Sequence, residues 1–450
     1  MVKVLFLVME FPPVNTTGNF RSLKFVKYLK DFGVQPIVVT LKEDEASHYF
    51  KVPVDNSLLK EIPPDTPIFR VHCEGEEKYY GNKLKNFITI FFSIKDTLAV
   101  RWKKHLFIEL EAIIKRHSPQ LIFTSLPPFS SGKLAVHVAK KFRLPLIVDM
   151  RDLYANWGNV PHGSFVHYLL KLFEERMIFR RAAKIIGVTP QLIKTLKATH
   201  PLVKAEKFVV IPNGYDSDTH FPSQILFKNT SENISIGYVG SFYYSPKSRE
   251  EILLPWWKRK GLKMLRYVAV KEDWLYRTPY FFFKCLSQVF LKYPQLKKRV
   301  CVEFIGKQPD WLLPMIEGFN LADNVKLHGV LPYEKAIFIQ SKIDLMLTTS
   351  EKVLDGFQEH YSLPSKIFDY VKLGKPIIAF ITPGIQMEFI KKSGVGIVCN
   401  PDDIEEATTV LSDLLQHGKT FSPDMTYLKK YHRKNTTSQL AEVIKLTTPD

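Results

Sequence analysis

Three polar residues at the start of one predicted helix have the types needed to bind a phosphate group. Ser365 and Lys366 open a segment whose apolar residues recur at helical spacing, and Asp369 lies one turn further in. The first turn of a helix offers unpaired N–H groups and the positive end of the helix dipole, which suit a phosphate. A lysine at such a position is also common on an ordinary solvated helix, so this segment alone fits both interpretations.

A second set of charged residues follows predicted strands in the first half of the chain. Glu10 comes directly after an apolar run, and Asp149, Arg151 and Asp152 stand at the end of another. Ligands of α/β proteins bind at the carboxyl ends of the strands, so these side chains are predicted to line a cleft. Arg151 and Asp152 fit equally well as a charge pair that braces a loop.

Strands alternate with helices along the whole chain, which predicts parallel sheets. A stretch rich in Asn, Gly, Asp, Ser and Pro, from Pro212 to Glu232, separates two alternating sets of elements. The sequence therefore predicts an α/β protein with two Rossmann-like domains, residues 1–215 and residues 232–423.

Two segments interrupt the alternation. Residues 42–85 are polar and contain prolines, and they are predicted to form an irregular insertion. Residues 244–276 are basic and aromatic, with the run Trp256-Trp257-Lys258-Arg259-Lys260. This second insertion fits a lid over the cleft, a packed tryptophan cluster or a lipid interface. A lid or a packed cluster is favoured, because no clear amphipathic helix emerges.

The composition is that of an ordinary folded protein with an excess of positive charge. The chain has 450 residues, of which 45% are hydrophobic and 24% charged, and this composition does not indicate intrinsic disorder. The net charge of +18 predicts an anionic partner, either nucleic acid, a phosphorylated substrate or an anionic membrane surface. Nucleic acid is not expected, because no recognition motif accompanies the charge.

Location is predicted from three further features of the sequence. The four cysteines are widely spaced and form neither a disulfide nor a zinc pattern. The apolar N-terminus lacks a cleavage site, and no apolar run is long enough to span a membrane. We therefore expect a cytoplasmic protein, with peripheral contact to the inner face of the membrane as a further expectation.

Several short motifs occur in an order that resembles one enzyme family. They are Phe11-Pro-Pro with Gly18 and Arg21, Val148–Tyr154, Ile211–Asp216, Gly237–Phe242 and Ser365–Ile378. Together they resemble the nucleotide-sugar glycosyltransferases of family 4, which have the GT-B fold of two Rossmann-like domains facing a central cleft. The resemblance implies that residues 1–215 bind the acceptor and that residues 232–423, with the insertion 244–276, bind the donor. It also implies that a helix at about 424–450 packs back on the first domain.

The resemblance assigns the phosphate-binding groups to two cations. Arg277, in the sequence Arg-Thr-Pro, is similar to a family arginine that the insertion has displaced along the chain. Arg277 and Lys366 would hold the pyrophosphate of a nucleotide sugar and act in catalysis, with Ser365 beside them. An ordinary surface arginine remains the alternative for Arg277.

The rest of the donor site is assigned in the same way. Asp369 matches the family's second acidic residue, which implies that it holds the ribose hydroxyls. Tyr361 stands where the family's E-x7-E motif has its first Glu, so the contacts to the sugar differ from those of commoner members. Val330 and Leu331 would line the base pocket through their backbone groups.

On the acceptor side, Glu10, Asp149 and Arg151 are predicted to contact the acceptor because they follow strands that end at the cleft, and Gly18 joins them through the first-loop motif. Asp152 is predicted to act in catalysis by contacting the acceptor hydroxyl. The predicted activity is transfer of a hexose-like sugar, with retention of configuration, to a saccharide or lipid-linked acceptor in cell-surface polysaccharide or glycan synthesis. The alternatives are a nucleotide-sugar epimerase of the same fold and a nucleotide-sugar-binding or anionic-lipid-binding protein without turnover.

A metal site is not predicted. Asp216-Ser-Asp218 has the spacing of a D-x-D metal motif, but it lies in the linker after Asn-Gly, where turn formation explains it. We expect neither a required metal nor another cofactor.

Overall fold

The computed structural model describes residues 1–74, 98–159, 161–216, 222–229, 233–355 and 360–448. These residues form two α/β units, each built on a parallel sheet. The strands are short apolar runs, and most of their side chains are buried on both faces, as expected where helices cover both sides of a sheet.

The first sheet has seven parallel strands in the order β3-β2-β1-β4-β5-β6-β7. Its strands are β1 Val2–Leu7, β2 Val34–Leu41, β3 Ile68–Val71, β4 Leu121–Leu126, β5 Leu146–Met150, β6 Lys184–Gly187 and β7 Phe208–Val210. The chain order reverses between β1 and β4, so a crevice opens at their carboxyl ends. Its helices are α1 Asn19–Tyr28, α2 Glu43–Phe50, α3 Leu98–His117, α4 Ser130–Lys141, α5 Phe165–Arg181 and α6 Pro190–Thr199.

The second sheet has six parallel strands in the order β12-β11-β9-β13-β15-β16. The strands of this half, with four short ones outside the sheet, are β8 Ile225–Phe227, β9 Ile234–Val239, β10 Glu272–Asp273, β11 Val300–Ile305, β12 Val325–Gly329, β13 Leu345–Thr349, β14 Lys352–Val353, β15 Ile377–Phe380, β16 Gly396–Cys399 and β17 Lys419–Phe421. Here the reversal falls between β9 and β13, which places a second crevice beside the carboxyl ends of these two strands.

Helices cover both faces of the second sheet. They are α7 Pro246–Leu253, α8 Tyr280–Lys292, α9 Pro294–Lys297, α10 Leu312–Gly318, α11 Tyr333–Lys342, α12 Ser365–Lys372, α13 Ile385–Ser393, α14 Ile404–His417 and α15 Met425–Lys429. The amphipathic helix α12 buries Ile367, Phe368, Tyr370 and Val371 and turns its polar face toward the crevice. It ends before Gly374, whose φ of 61° is a left-handed conformation that suits glycine.

The C-terminal segment returns to the first sheet. The last helix, α16 Arg433–Thr447, buries Leu440, Ala441 and Ile444 against Phe25 and Leu29 of the first unit. The chain crosses between the units at Tyr431 and His432, beside the linker. The same segment therefore packs on the second unit through α15 and on the first through α16.

The insertion 244–276 touches both units. Its strand β10 pairs antiparallel with β14, and Tyr267 exchanges two backbone hydrogen bonds, of 2.8 and 3.1 Å, with His162 of the first unit. Trp256 and Trp257 are 59% and 62% exposed, so they do not form a packed cluster. The insertion is thus a strap that connects the two units beside the cleft.

The segment 42–85 is more regular than predicted over the residues that are described. It contains the helix α2 and the edge strand β3, which pairs with β2 through Val38–Ile68 and its neighbours. Residues 75–85 lie outside the described part. An edge strand of four residues carries too short an apolar pattern to stand out in a polar segment.

Candidate active site

The candidate site lies where the carboxyl ends of the two sheets face each other. Glu351 follows β13 of the second sheet, and Asp152 follows β5 of the first. Asp152 is close enough to Arg277 and Glu351 for their charges to act on its pKa. Thr189, after β6, donates a 2.8 Å hydrogen bond to the carbonyl of Tyr361 across the interface. The two crevices therefore form one cleft.

Arg277 forms the centre of a buried ionic group. Its Nη1 donates a 2.8 Å hydrogen bond to Oε2 of Glu351, and Nε2 of His360 lies 3.1 Å from the other carboxylate oxygen. Burial alone would raise the pKa of Glu351, but Arg277 and His360 hold it well below its usual range. The guanidinium also lies 5.2 Å from the Trp274 ring. Glu351 and His360 thus hold Arg277 in place at the cleft.

Lys366 is a half-buried cation close to Arg277. Its Nζ lies 3.4 Å from the centre of the Tyr238 ring, a cation–π contact. Within the described residues, no carboxylate lies within ion-pair distance of Lys366. Burial, followed by the charge of Arg277, lowers the pKa of Lys366 well below its usual value. Arg277 and Lys366 therefore face the same crevice, where an anion would relieve their repulsion.

The first turn of α12 adds backbone donors to this pair. Ser365 is exposed at its first position, and the residue before it, Pro364, makes no side-chain cap. The Ile367 amide donates to the Pro364 carbonyl at 3.1 Å, whereas the amides of Ser365 and Lys366 have no partner among the described residues, as is usual at a helix N-terminus. Lys366, Ser365 and these N–H groups are brought together as the sequence predicted, with Arg277 beside them.

Asp369 lies one turn further along α12, at the other end of the crevice. The Tyr333 hydroxyl donates a 3.4 Å hydrogen bond to its Oδ1, and the Tyr333 ring lies 5.2 Å from Phe20 of the first unit. Burial raises the pKa of Asp369 to about 6, although nearby cations, Lys372 foremost, oppose this shift. A carboxyl here can accept hydrogen bonds from two neighbouring hydroxyl groups.

Val330 and Leu331 lie between the end of β12 and α11, and Pro332 separates them from Tyr333, the first residue of α11. Val330 is 67% exposed and Leu331 is half-buried. Both residues therefore lie on the Asp369 side of the crevice.

Tyr361 and Glu272 close the opposite end. Tyr361 is buried and packs with the core of the first unit. Burial and the carboxyl groups of Glu272, Asp152 and Glu351 raise the pKa of its phenol well above the usual value. Glu272, from the insertion, accepts a 2.9 Å hydrogen bond from Trp274 Nε1. Burial, together with Glu351, raises the pKa of Glu272 to about 8, so it is mostly protonated at neutral pH.

On the first unit, Glu10 and Arg151 form an ion pair at the edge of the cleft. Gly18 packs directly against both side chains, and a Cβ at this position would overlap them. Arg151 also donates to the carbonyl of Leu126 at 3.3 Å and to that of Pro127. The pair is therefore fixed by its surroundings, and Gly18 is the residue that leaves room for it.

Asp152 differs from its neighbour Asp149. The side chain of Asp152 is exposed to the cleft. The walls of the cleft surround it closely enough that burial raises its pKa, while the charges of Arg151 and Arg277 oppose this shift. Asp149 does not reach the cleft, because it is fully buried and accepts hydrogen bonds from Arg21 at 2.8 Å and Ser125 at 2.7 Å. The expected contact between Asp149 and an acceptor therefore has no support in this geometry. Its carboxylate instead holds Arg21 in the core.

Three functional candidates were missed at the level of sequence: Glu351, His360 and Glu272. Glu351 carries a usable signal, because it follows an apolar strand in the same way as Glu10. His360 and Glu272 carry none, since they join the site only through the folding of a loop and of the insertion.

The linker motif shows no metal-binding arrangement where it is described. Asp216 forms an ion pair with Lys24, and Asp218 lies outside the described residues. Within the described ranges there is no group of three or more His, Cys, Asp or Glu side chains placed to hold a metal ion.

In the same ranges, no helix combines the length and the apolar character needed to cross a bilayer.

Comparison with known families covers most of the chain. Residues 20–214 match the family model described as a glycosyl transferase 4-like domain, and residues 283–435 match the glycosyl transferases group 1 model. Among curated proteins, no sequence matches this chain significantly.

Solved structures share the fold at low sequence identity. Anabaena HepE in complex with UDP has a TM-score of 0.59 and 14% identity, covering 99% of this chain and 100% of that chain. Its complex with UDP-glucose has a TM-score of 0.58 with the same identity and coverage. Sucrose-phosphate synthase from Thermosynechococcus elongatus has a TM-score of 0.53 and 14% identity, covering 99% of this chain and 97% of that chain.

These structures confirm the predicted fold of two Rossmann-like domains with parallel sheets, and the two family models confirm the predicted resemblance. The chain belongs to the GT-B glycosyltransferases, with a glycosyl transferase 4-like domain followed by a glycosyl transferases group 1 domain.

Proposed function

We propose that this protein transfers a sugar from a nucleotide-diphosphate donor to a saccharide or lipid-linked acceptor. The observation that carries the proposal is Lys366, a half-buried cation with no carboxylate partner among the described residues, beside the positioned guanidinium of Arg277. A buried charge is costly unless it is paired, so this arrangement favours an anionic ligand.

The two cations suit the charge that develops during transfer. When the bond between the sugar and the diphosphate breaks, negative charge accumulates on the departing nucleoside diphosphate. Cations already in place there stabilise the transition state more than the ground state. Arg277, Lys366 and the first turn of α12 supply this charge in the proposed mechanism.

The rest of the crevice accommodates the nucleoside and the sugar. We assign the base to Val330 and Leu331 and the ribose hydroxyls to Asp369. The sugar then extends toward Tyr361 and Glu272. HepE binds UDP and UDP-glucose, so a uridine nucleotide is the first donor to test.

The acceptor is assigned to the first unit. Asp152 would accept a hydrogen bond from the attacking hydroxyl, and the Glu10–Arg151 pair would contact the acceptor beside it. In the proposed reaction, the acceptor oxygen forms a bond to the anomeric carbon as the bond to the diphosphate breaks, and the acceptor proton leaves with the diphosphate. We propose that the configuration is retained and that no metal is required, because the chain supplies the cations itself.

The test combines binding and turnover. A nucleoside diphosphate that binds only the native state raises the melting temperature, so a panel of nucleoside diphosphates identifies the base. The matching nucleotide sugars are then assayed for hydrolysis and for transfer. Loss of both binding and turnover in Arg277→Ala, with the fold intact by circular dichroism, supports the proposal.

Two other outcomes would replace it. Isomerisation of the sugar without transfer would favour an epimerase of the same fold. Binding without any turnover would favour a non-catalytic nucleotide-sugar-binding protein. The observation that favours this alternative is Tyr361, which replaces the first Glu of the E-x7-E motif.

A further inference from the structure

Helix α5 buries acidic side chains and exposes large apolar ones, the reverse of an ordinary surface helix. Its acidic residues Glu174 and Glu175 are buried: Glu174 accepts a hydrogen bond from the Tyr154 hydroxyl at 3.0 Å, and Glu175 lies 2.8 Å from Nε2 of His200. Its large apolar side chains face solvent: they are Phe165, Val166, Leu169, Leu170 and Phe173, exposed by 38–68%. A continuous apolar face of this kind on a folded protein marks an interaction surface.

The insertion extends this surface. Its apolar side chains Trp256, Trp257, Leu262, Met264 and Leu265 are 42–62% exposed. Tyr267 joins them to the helix, since its ring lies 4.9 Å from that of Phe165 and 4.8 Å from that of Tyr168. We call the exposed face of α5 together with residues 256–265 the apolar patch.

The insertion part of the patch has a defined shape. Arg259 is buried, and its guanidinium donates to the carbonyls of Arg266 at 2.8 Å and Leu254 at 3.0 Å. These bonds close the loop that carries the two tryptophans. The tryptophans are therefore held outward by a buried residue and are not simply the tip of a loose loop.

Cations accompany the apolar side chains. Lys258 and Lys260 are exposed next to the tryptophans, and within the described residues neither forms an ion pair. The whole chain carries a net charge of +18. Exposed tryptophans next to unpaired lysines match the headgroup region of an anionic bilayer, where aromatic rings lie at the interface and lysines reach the lipid phosphates.

We propose that the apolar patch docks on the surface of an anionic lipid bilayer, with the apolar side chains of α5 and the insertion entering the interface. A protein partner is a poorer match, because lysine is depleted where two proteins bury a surface. The face from Phe165 to Phe173 is about 12 Å long, which suits a helix lying in the plane of the interface.

The patch lies next to the cleft. Five residues after Tyr267, the same segment enters the candidate site at Glu272. A docked protein would therefore hold its cleft close to the headgroups, where a lipid-linked acceptor would be presented. Only this last consequence rests on the proposed function, since docking itself requires no turnover.

The test is sedimentation of the full chain with vesicles of phosphatidylcholine, with and without phosphatidylglycerol. We expect the wild type to sediment with the anionic vesicles and to be released by salt. Trp256→Ser/Trp257→Ser and Leu169→Ser/Phe173→Ser should each weaken binding by about tenfold or more, because both remove apolar surface from the interface. Lys258→Gln/Lys260→Gln should remove the preference for anionic lipid.

The matched control is Phe338→Ser, on α11 outside the patch, where the side chain is 63% exposed. It should bind vesicles like the wild type. Wild type that stays in solution with both vesicles, or patch variants that sediment like the control, would overturn the proposal. So would a concentration-dependent dimer that the patch variants abolish without any vesicle binding, since the surface would then be an interface between copies. The rise in melting temperature that a nucleotide causes is measured on each variant. A protein that fails to bind vesicles but keeps this rise refutes the docking proposal and leaves the proposed function standing.

Discussion

Replacing Lys366 with methionine tests whether this lysine serves an anionic ligand. Methionine has a similar length and keeps the contact with Tyr238 but removes the charge. A charge-assisted hydrogen bond contributes about 1.5–3 kcal/mol, so Lys366→Met should weaken nucleoside diphosphate binding roughly 10- to 150-fold. The assay is calorimetric titration of the diphosphate found by the melting screen.

Although Lys366→Met should weaken ligand binding, it should not lower the stability of the ligand-free protein. The pKa of Lys366 is lower in the folded than in the unfolded state, because burial and Arg277 disfavour its charged form. The charged lysine therefore costs stability at pH values below its folded pKa, and this cost disappears as the pH rises through its unfolded pKa. Lys366→Met removes the cost, so the ligand-free variant should melt at the same temperature as the wild type or higher at neutral pH.

A control lysine lies on the same segment. Lys375 is also half-buried, and burial lowers its pKa, but it faces Asp344 and Lys342. Lys375→Met should leave nucleotide affinity unchanged. The reasoning is refuted if Lys366→Met binds the diphosphate as tightly as the wild type, or if both variants lose affinity equally.

Further predictions concern the acceptor side, the protonated carboxyl and the metal. Gly18→Ala should displace the Glu10–Arg151 pair and lower kcat/KM for the acceptor at least several-fold. The rise in melting temperature that the nucleotide causes should be retained, and its loss would contradict a role limited to the acceptor. The pKa of Glu272 is raised to about 8 in the folded state, so wild-type stability should fall as the pH rises from about 4.5 to about 8 and then level off. Glu272→Gln should flatten this decline in melting temperature, and an unchanged profile would show that another group causes it. Incubation with EDTA, followed by removal of the chelator, should leave transfer unchanged, whereas activity restored only by a divalent cation would contradict the proposed mechanism.

The fold and half of the site were predictable because their signals are local. Apolar runs and helical spacing define the strands and α12, and helix start signals place Ser365, Lys366 and Asp369 together on one helix. The order of motifs added Arg277. The edge strand Ile68–Val71 was missed, since a short strand in a polar segment has little pattern of its own.

The other half of the site depends on residues that are distant in the sequence. The group formed by Arg277, Glu351 and His360 combines the end of the insertion, the end of a strand and a later loop. Asp149 shows the converse, because it lies near the carboxyl end of its strand but is bound by the buried Arg21. Position along a strand predicts the edge of the sheet, but the partners of a side chain decide whether it faces the cleft.

A crystal structure of the complex with the diphosphate found by the melting screen tests the central claim most directly. We predict phosphate oxygens within hydrogen-bond distance of Lys366 Nζ and of the Arg277 guanidinium, with the β-phosphate at the first turn of α12. A diphosphate bound elsewhere in the cleft, with Lys366 still facing only the Tyr238 ring, would contradict the account.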